Sequence, residues 1–273
     1  MTGPQRSRTD DIMNNETFER IPAWPSTDSV NALSESAMAR FRISTGNEAF
    51  RVSPMTWFNL LILLVAYPAM QLAGGGESTT SMFKSMNEGV LAFMLVFTIL
   101  ILWTVFLLNY AGVYFEGTGL LGLGLKKIRT VDFAWGGAFF VAAYAIMAGL
   151  AWVLAQIGLP MPGEIALLIP KDPLGKFIWV GVSFTAGFCE EIAFRGYLLT
   201  RLRLVGKLKS WVVPVVISSV VFGACHAYQG WPGFILISIY GAMFALLYIR
   251  TGSLWPCIIA HSLNDLGALI IPQ

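Results

Sequence analysis

Charge and histidine are what this chain has least of. Only 12% of its 273 residues are charged and two are histidine, whereas 56% are hydrophobic and the mean hydropathy is +0.66. So little charge over so long a chain excludes an ordinary soluble domain. The net charge of +2 is too small for a nucleic-acid-binding surface, and the basic residues lie in loops between apolar runs. Cysteine is scarce too: Cys189, Cys225 and Cys257 all fall inside apolar runs, where a thiol behaves as a small packing group. That placement argues against a disulfide framework and against a thiol-ligated metal. There is no glycine-rich phosphate loop, zinc-finger spacing, nucleophile elbow or H-E-x-x-H. Asp10, Asp11 and Glu16 precede any apolar run, the wrong pattern for a secretory or transit peptide, so the first span is expected to act as the insertion signal.

Long apolar runs are what is present. About 20 residues of helix cross a hydrocarbon core, and runs of that kind lie at 55–72, 89–110, 134–159, 177–199, 211–228, 234–249 and 254–271. The fold class expected is all-α, a polytopic membrane bundle of about seven helices over residues 53–273. Residues 1–52 are polar, mixed in charge and aperiodic, which predicts a disordered tail. Arg40, Arg42 and Arg51, then Lys126, Lys127 and Arg129, then Arg201, Arg203, Lys207 and Lys209 fall on one side if every span crosses. The positive-inside rule then makes the N-terminus cytosolic, and the absence of targeting signals suits a bacterial plasma membrane. Residues 122–132 (GLGLKKIRTVD) read either as a cationic amphipathic segment on the membrane surface or as a plain connecting loop. No tandem repeat is visible; the first half, 55–160, carries almost no polar groups inside its spans, and 177–271 carries nearly all of them.

The conspicuous stretch is Gly187 to Tyr197, GFCEEIAFRGY, where two carboxylates and an arginine interrupt an apolar run. Ionisable groups at membrane depth cost about 2.5–3.5 kcal/mol each even on a lenient scale, so such a cluster marks function. On a helix Glu191 and Arg195 stand one above the other in the favourable acid-first order. Glu190, about 100° away, has no local partner. His226 belongs to the far part of the fifth run and His261 to the last, with Asp265 one turn beyond on the same face. Each histidine alone reads equally well as a bridge between helices, and Glu191/Arg195 alone as a bundle-stabilising pair. Together in one half of the chain they read as a site. Counted from the cytosolic ends of their runs, Glu190, His226 and His261 lie about 14, 22 and 10 Å deep, a disagreement that helix tilt has to close.

This set suits hydrolysis. A carboxylate in a low-dielectric cavity is a competent general base toward water, and two imidazoles can hold that water and donate to a developing oxyanion. A divalent metal, zinc in the first place, held by Glu190, His226 and His261 is the variant mechanism. Spacing does not choose between a metal-bound and a directly activated water. Two other classes fit parts of the pattern: a proton-coupled transporter, disfavoured by the lack of an inverted repeat, and a membrane protein that binds a partner without chemistry.

Glu190-Glu191-x-x-x-Arg195, Phe222-x-x-x-His226 and His261-x-x-x-Asp265 in that order resemble the three motifs of the CPBP family. The family comprises CAAX-processing proteases related to the Ras-converting enzyme and bacterial members linked to bacteriocin processing and self-immunity. The resemblance covers residues 177–271. It implies a helical intramembrane endopeptidase with a peptide or membrane-protein substrate, Glu190 as base, and His226 and His261 positioning water and stabilising the oxyanion. Glu191 and Arg195 would support them. Asp265 stands where the family commonly has Asn and would complete the polar cluster. Members are described both as metalloproteases and as metal-independent glutamate proteases. The resemblance implies neither a particular substrate nor an oligomeric state.

Overall fold

The computed structural model describes residues 50–73 and 84–270, all within one compact unit, Arg40–Gln273. The expected tail, 1–52, lies outside the described residues but for its last three. Every apolar run becomes a helix, and no strand occurs among the described residues. We number the α-helices α1 Pro54–Leu61, α2 Tyr67–Ala73, α3 Glu88–Phe115, α4 Thr130–Gln156, α5 Pro173–Glu191, α6 Leu199–Val205, α7 Val212–Ala224, α8 Gly230–Thr251 and α9 Trp255–Gly267. A π-helical segment, Ile62–Ala66, joins α1 to α2, and another, Ile192–Leu198, joins α5 to α6.

Local chemistry sets the starts. Ser53 accepts from Thr56 N and forms a capping box, with Pro54 in the first turn, where its missing N–H costs nothing. Asn87 caps α3 through Val90 N, at 2.9 Å. Asp172 caps α5 by accepting from Leu174 N and Gly175 N, both at 3.0 Å, with Pro173 next in line. The Gly175 N–H holds the Asp172 carboxyl below its usual range.

Among the described residues four segments are long and apolar enough to cross a membrane: Glu88–Phe115, Thr130–Gln156, Pro173–Val205 and Ala227–Thr251. The α7 and α9 helices have 13 residues each, about 20 Å of rise, short of a hydrocarbon core of about 30 Å. The α3 and α4 helices turn much of their apolar surface outward, including Phe93, Leu100, Val141 and Trp152. The core lies among the π segment after α5, α7, α8 and α9, around Phe194, Tyr197, Phe222, Phe244 and Leu254.

Three expectations need correction. Residues 122–132 do not form an amphipathic surface helix. A 3-10 turn, Leu120–Leu123, buries Leu123 completely, Gly124 O accepts from Leu254 N at 3.2 Å, and Lys126 O accepts from Trp255 Nε1 at 2.6 Å. The segment is a connecting loop, anchored because its carbonyls cover the start of α9. Arg201 and Arg203 are not loop charges but buried side chains of α6. Finally, the first half does bury polar groups: Thr56, Asn59, Asn109, Glu116 and Asp132 are all inside.

Arg201 and Glu116 explain one another. Glu116 Oε2 accepts from Arg201 Nε at 3.0 Å and Nη2 at 2.6 Å, while Glu116 Oε1 accepts from Thr56 Oγ1 at 2.9 Å and Tyr197 OH at 2.8 Å. The remaining guanidinium N–H groups go to Gly122 O, Thr200 Oγ1 and Thr118 Oγ1. An ion pair in which both carboxylate oxygens and all the guanidinium N–H groups are served is the form in which two charges are tolerated in an apolar interior. It ties the ends of α3 and α6 to the start of α1.

Candidate active site

Glu190 and Glu191 end α5, and the π segment that follows is buried along its whole length. Runs of π-helix are rare and concentrate at functional sites. Within this one, Arg195 Nη1 donates to Glu191 Oε1 at 2.8 Å, and Nη2 donates to Gly241 O on α8 at 3.4 Å. Its guanidinium lies 4.2 Å over the Phe222 ring and 4.9 Å over the Phe244 ring. The charge is held between two aromatic faces and one carboxylate. Glu191/Arg195 is thus an ion pair as the spacing predicts.

Glu191 Oε1 also accepts from His261 Nδ1 at 2.8 Å, so the pair anchors His261 on α9. With Nδ1–H given to Glu191, the other ring nitrogen, Nε2, faces the Asp265 carboxylate at 3.7 Å and Glu190 at 3.9 Å. The Phe244 ring stacks on the imidazole with centroids 5.5 Å apart. Gly187 lets this happen. A Cβ there would collide with Ser262 Oγ and press on Ile258 O and Ser262 N at 3.0 Å, so its lack of a side chain brings α5 and α9 together at the level of His261.

His226 is not within a span. The α7 helix stops at Ala224, and His226 lies on the turn that leads through Ala227–Gln229 into α8. Its Nδ1 bonds Phe222 O at 2.9 Å, so Nδ1–H donates and Nε2 is left with its lone pair. Phe222 packs against both histidines, 4.9 Å from the His226 ring and 6.2 Å, edge to face, from His261. On α9, Asp265 Oδ1 accepts from Asn264 Nδ2 at 3.4 Å, and Asp265 O accepts from Trp179 Nε1 of α5 at 2.9 Å. Glu190 Oε2 is buried with no hydrogen-bond partner among the described residues.

The apparent disagreement in depth disappears because the helices do not begin at one level. The helix carrying Glu190 runs on past Leu199 to Val205, so Glu190 lies about 22 Å from its end, the same rise that separates His226 from Trp211. Leu254, wholly buried, starts α9 beside Gly196, some 9 Å along the helix from Glu190. His261 is about 10 Å further up α9, level with Glu190.

Both imidazoles offer Nε2 while Nδ1–H is fixed by an oxygen, the protonation pattern of metal-binding histidines. Distance is where the fit fails. Among the described residues no three His, Cys, Asp or Glu side chains converge closely enough to hold a metal ion, so Glu190, His226 and His261 do not make a ligand set as they stand. The three cysteines are buried and free, in keeping with a packing role; Cys257 Sγ sits 3.6 Å from Phe244 O.

Two features escaped sequence reasoning. The Glu116/Arg201 network lies behind the π segment that carries Arg195; Glu116 closes the apolar run of α3 and so looks like an ordinary loop acid. Tyr228 stands two residues after His226 with its ring 6.0 Å from the imidazole, and no spacing singles it out.

No curated protein and no solved structure gives a match to this chain. One family model does, over residues 173–267, from the first residue of α5 to the last of α9. That stretch carries Glu190, Glu191, Arg195, His226, His261 and Asp265, and the model it matches is described as Type II CAAX prenyl endopeptidase Rce1-like.

Proposed function

We propose that the protein is an intramembrane endopeptidase in which Glu190 activates water against a peptide bond. The observation that carries this reading is the contrast between the two adjacent carboxylates. Glu191 is engaged through Oε1 by Arg195 and His261, its Oε2 being unserved, whereas the Glu190 side chain makes no hydrogen bond among the described residues and its buried Oε2 lies 3.9 Å from His261 Nε2. An unserved carboxylate oxygen is costly unless something else takes it, and a water there is held for proton transfer.

In the reaction Glu190 takes a proton from the water as its oxygen adds to the scissile carbonyl carbon. The C–N bond then breaks, and the proton held on Glu190 passes to the leaving nitrogen. His226 accepts a hydrogen bond from the water at Nε2, His261 orients it from the other side, and Glu191 with Arg195 fixes the His261 ring. Asp265 completes the polar wall. No step is assigned to a metal, because the donor positions do not fit one. The substrate is a peptide or membrane-protein segment that reaches the site from the bilayer.

The test is cleavage of a quenched-peptide library by the purified full chain and by Glu190→Gln, with and without chelator. The expected result is loss of cleavage by about 10²-fold or more in Glu190→Gln, the usual weight of a general base. Retained cleavage would overturn the role of Glu190. Cleavage that stops on chelation and returns with zinc would instead assign the water to a metal drawn in by Glu190, His226 and His261. A library left uncut by wild type, together with a cellular phenotype that survives Glu190→Ala, would replace the enzyme with a binding protein.

A further inference from the structure

Water addition to a peptide carbonyl places negative charge on its oxygen, which needs hydrogen-bond donors aimed at it. Around this centre the assigned side chains mainly accept. Glu190 and Asp265 are carboxylates, and the Nδ1–H groups of His226 and His261 are given to Phe222 O and Glu191. A proton on His261 Nε2 is already faced by Asp265 and Glu190. Arg195 is committed to Glu191 and Gly241 O.

Tyr228 is placed to supply what is missing. Its half-buried ring lies 6.0 Å from that of His226, on the same turn. Gln229 Nε2 donates to the hydroxyl oxygen at 3.2 Å. That is the hydroxyl's one hydrogen bond among the described residues, and in it Tyr228 accepts. The phenol proton is therefore uncommitted, and Gln229 orients the group that carries it. The α2 helix packs against the turn.

We propose that Tyr228 is a catalytic residue whose O–H donates to the carbonyl oxygen of the scissile peptide bond. The proposal rests on the peptidase reading above. As the water oxygen bonds to the carbonyl carbon, the C=O π pair moves onto oxygen and the Tyr228 O–H···O bond shortens; no proton leaves Tyr228. Collapse of the intermediate restores the carbonyl, breaks C–N and delivers the Glu190 proton to nitrogen.

The experiment compares wild type, Tyr228→Phe, Gln229→Leu, Tyr67→Phe and Glu190→Gln as full chains in detergent. It measures cleavage of a library peptide and binding of its phosphinic analogue, whose tetrahedral anion mimics the intermediate. Tyr228→Phe is expected to lower kcat about 10²–10³-fold, as loss of one oxyanion donor does, with KM and melting temperature unchanged. It should weaken the phosphinic peptide while leaving binding of the uncut peptide, read in the Glu190→Gln background, as it was. Gln229→Leu, which keeps the phenol but removes its anchor, is expected to lower kcat about tenfold, the worth of one neutral hydrogen bond. Wild-type kcat in both variants, with Glu190→Gln inactive, overturns the proposal and leaves the peptidase reading intact. A loss confined to Tyr67→Phe, a tyrosine of the helix packed against the same turn, moves the donor to α2 and also overturns it. A wild-type protein that neither cuts the peptide nor binds its phosphinic analogue overturns both.

Discussion

Two adjacent glutamates lie in the same apolar interior and meet different surroundings. Glu191 shares one oxygen between Arg195 and His261, at 2.8 Å each. Removing Arg195 leaves that carboxylate buried against a single imidazole, and breaking a buried pair costs about 3–5 kcal/mol. Arg195→Ala is therefore expected to melt well below wild type in detergent; equal melting temperatures would show that the pair carries no stability. Glu190→Gln should melt within a few degrees of wild type, because Glu190 has no buried cation to abandon. Denaturation followed by tryptophan fluorescence separates the two cases.

At the level of helices, the site depends on how closely α5 and α9 approach and on where α7 ends. Gly187→Ala puts a methyl group into the backbone and hydroxyl of α9. The shift needed to relieve it pulls His261 away from Glu191, and displacements of about 1 Å in a catalytic group cost on the order of 10²-fold. The expected outcome is a steep fall in kcat with a folded protein, read from cleavage and circular dichroism side by side. A second element-scale expectation concerns Glu116, which joins α3 to α6. Glu116→Gln leaves Arg201 buried against a neutral amide and should lower stability by about 3–5 kcal/mol. The double variant Glu116→Gln/Arg201→Gln should recover part of that loss, because two neutral amides need less solvation than one stranded guanidinium. Additive losses in the two single variants would show that the pair is not coupled.

For the whole molecule, surface charge bears on orientation. Burial of Arg201 and Arg203 removes two charges from the positive-inside count, but Lys127, Arg129, Lys207 and Lys209 stay exposed at that end of the bundle. We therefore propose that this end faces the cytosol. With the native cysteines buried and replaced by alanine, a cysteine at Lys127 should resist an impermeant maleimide in intact cells and react after lysis. One at Lys171, on the opposite loop, should react in both. The reverse pattern would invert the topology.

The apolar runs alone determined that the chain is a helical membrane bundle, because a backbone that spans hydrocarbon must satisfy its own hydrogen bonds. The cost of burying charge singled out Glu190, Glu191, Arg195, His226, His261 and Asp265. Their relation to one another was not legible there. That Glu191 grips His261, that His226 stands on a turn, and that the short α7 and the deep start of α9 bring three residues to one level all follow from packing between helices. Even the buried Glu116 is invisible along the chain: a carboxylate next to Gly117 and Gly119 looks solvent-bound until Arg201, 85 residues on, is folded against it. A one-dimensional pattern records which groups are costly to bury; only the tertiary structure decides which of them meet.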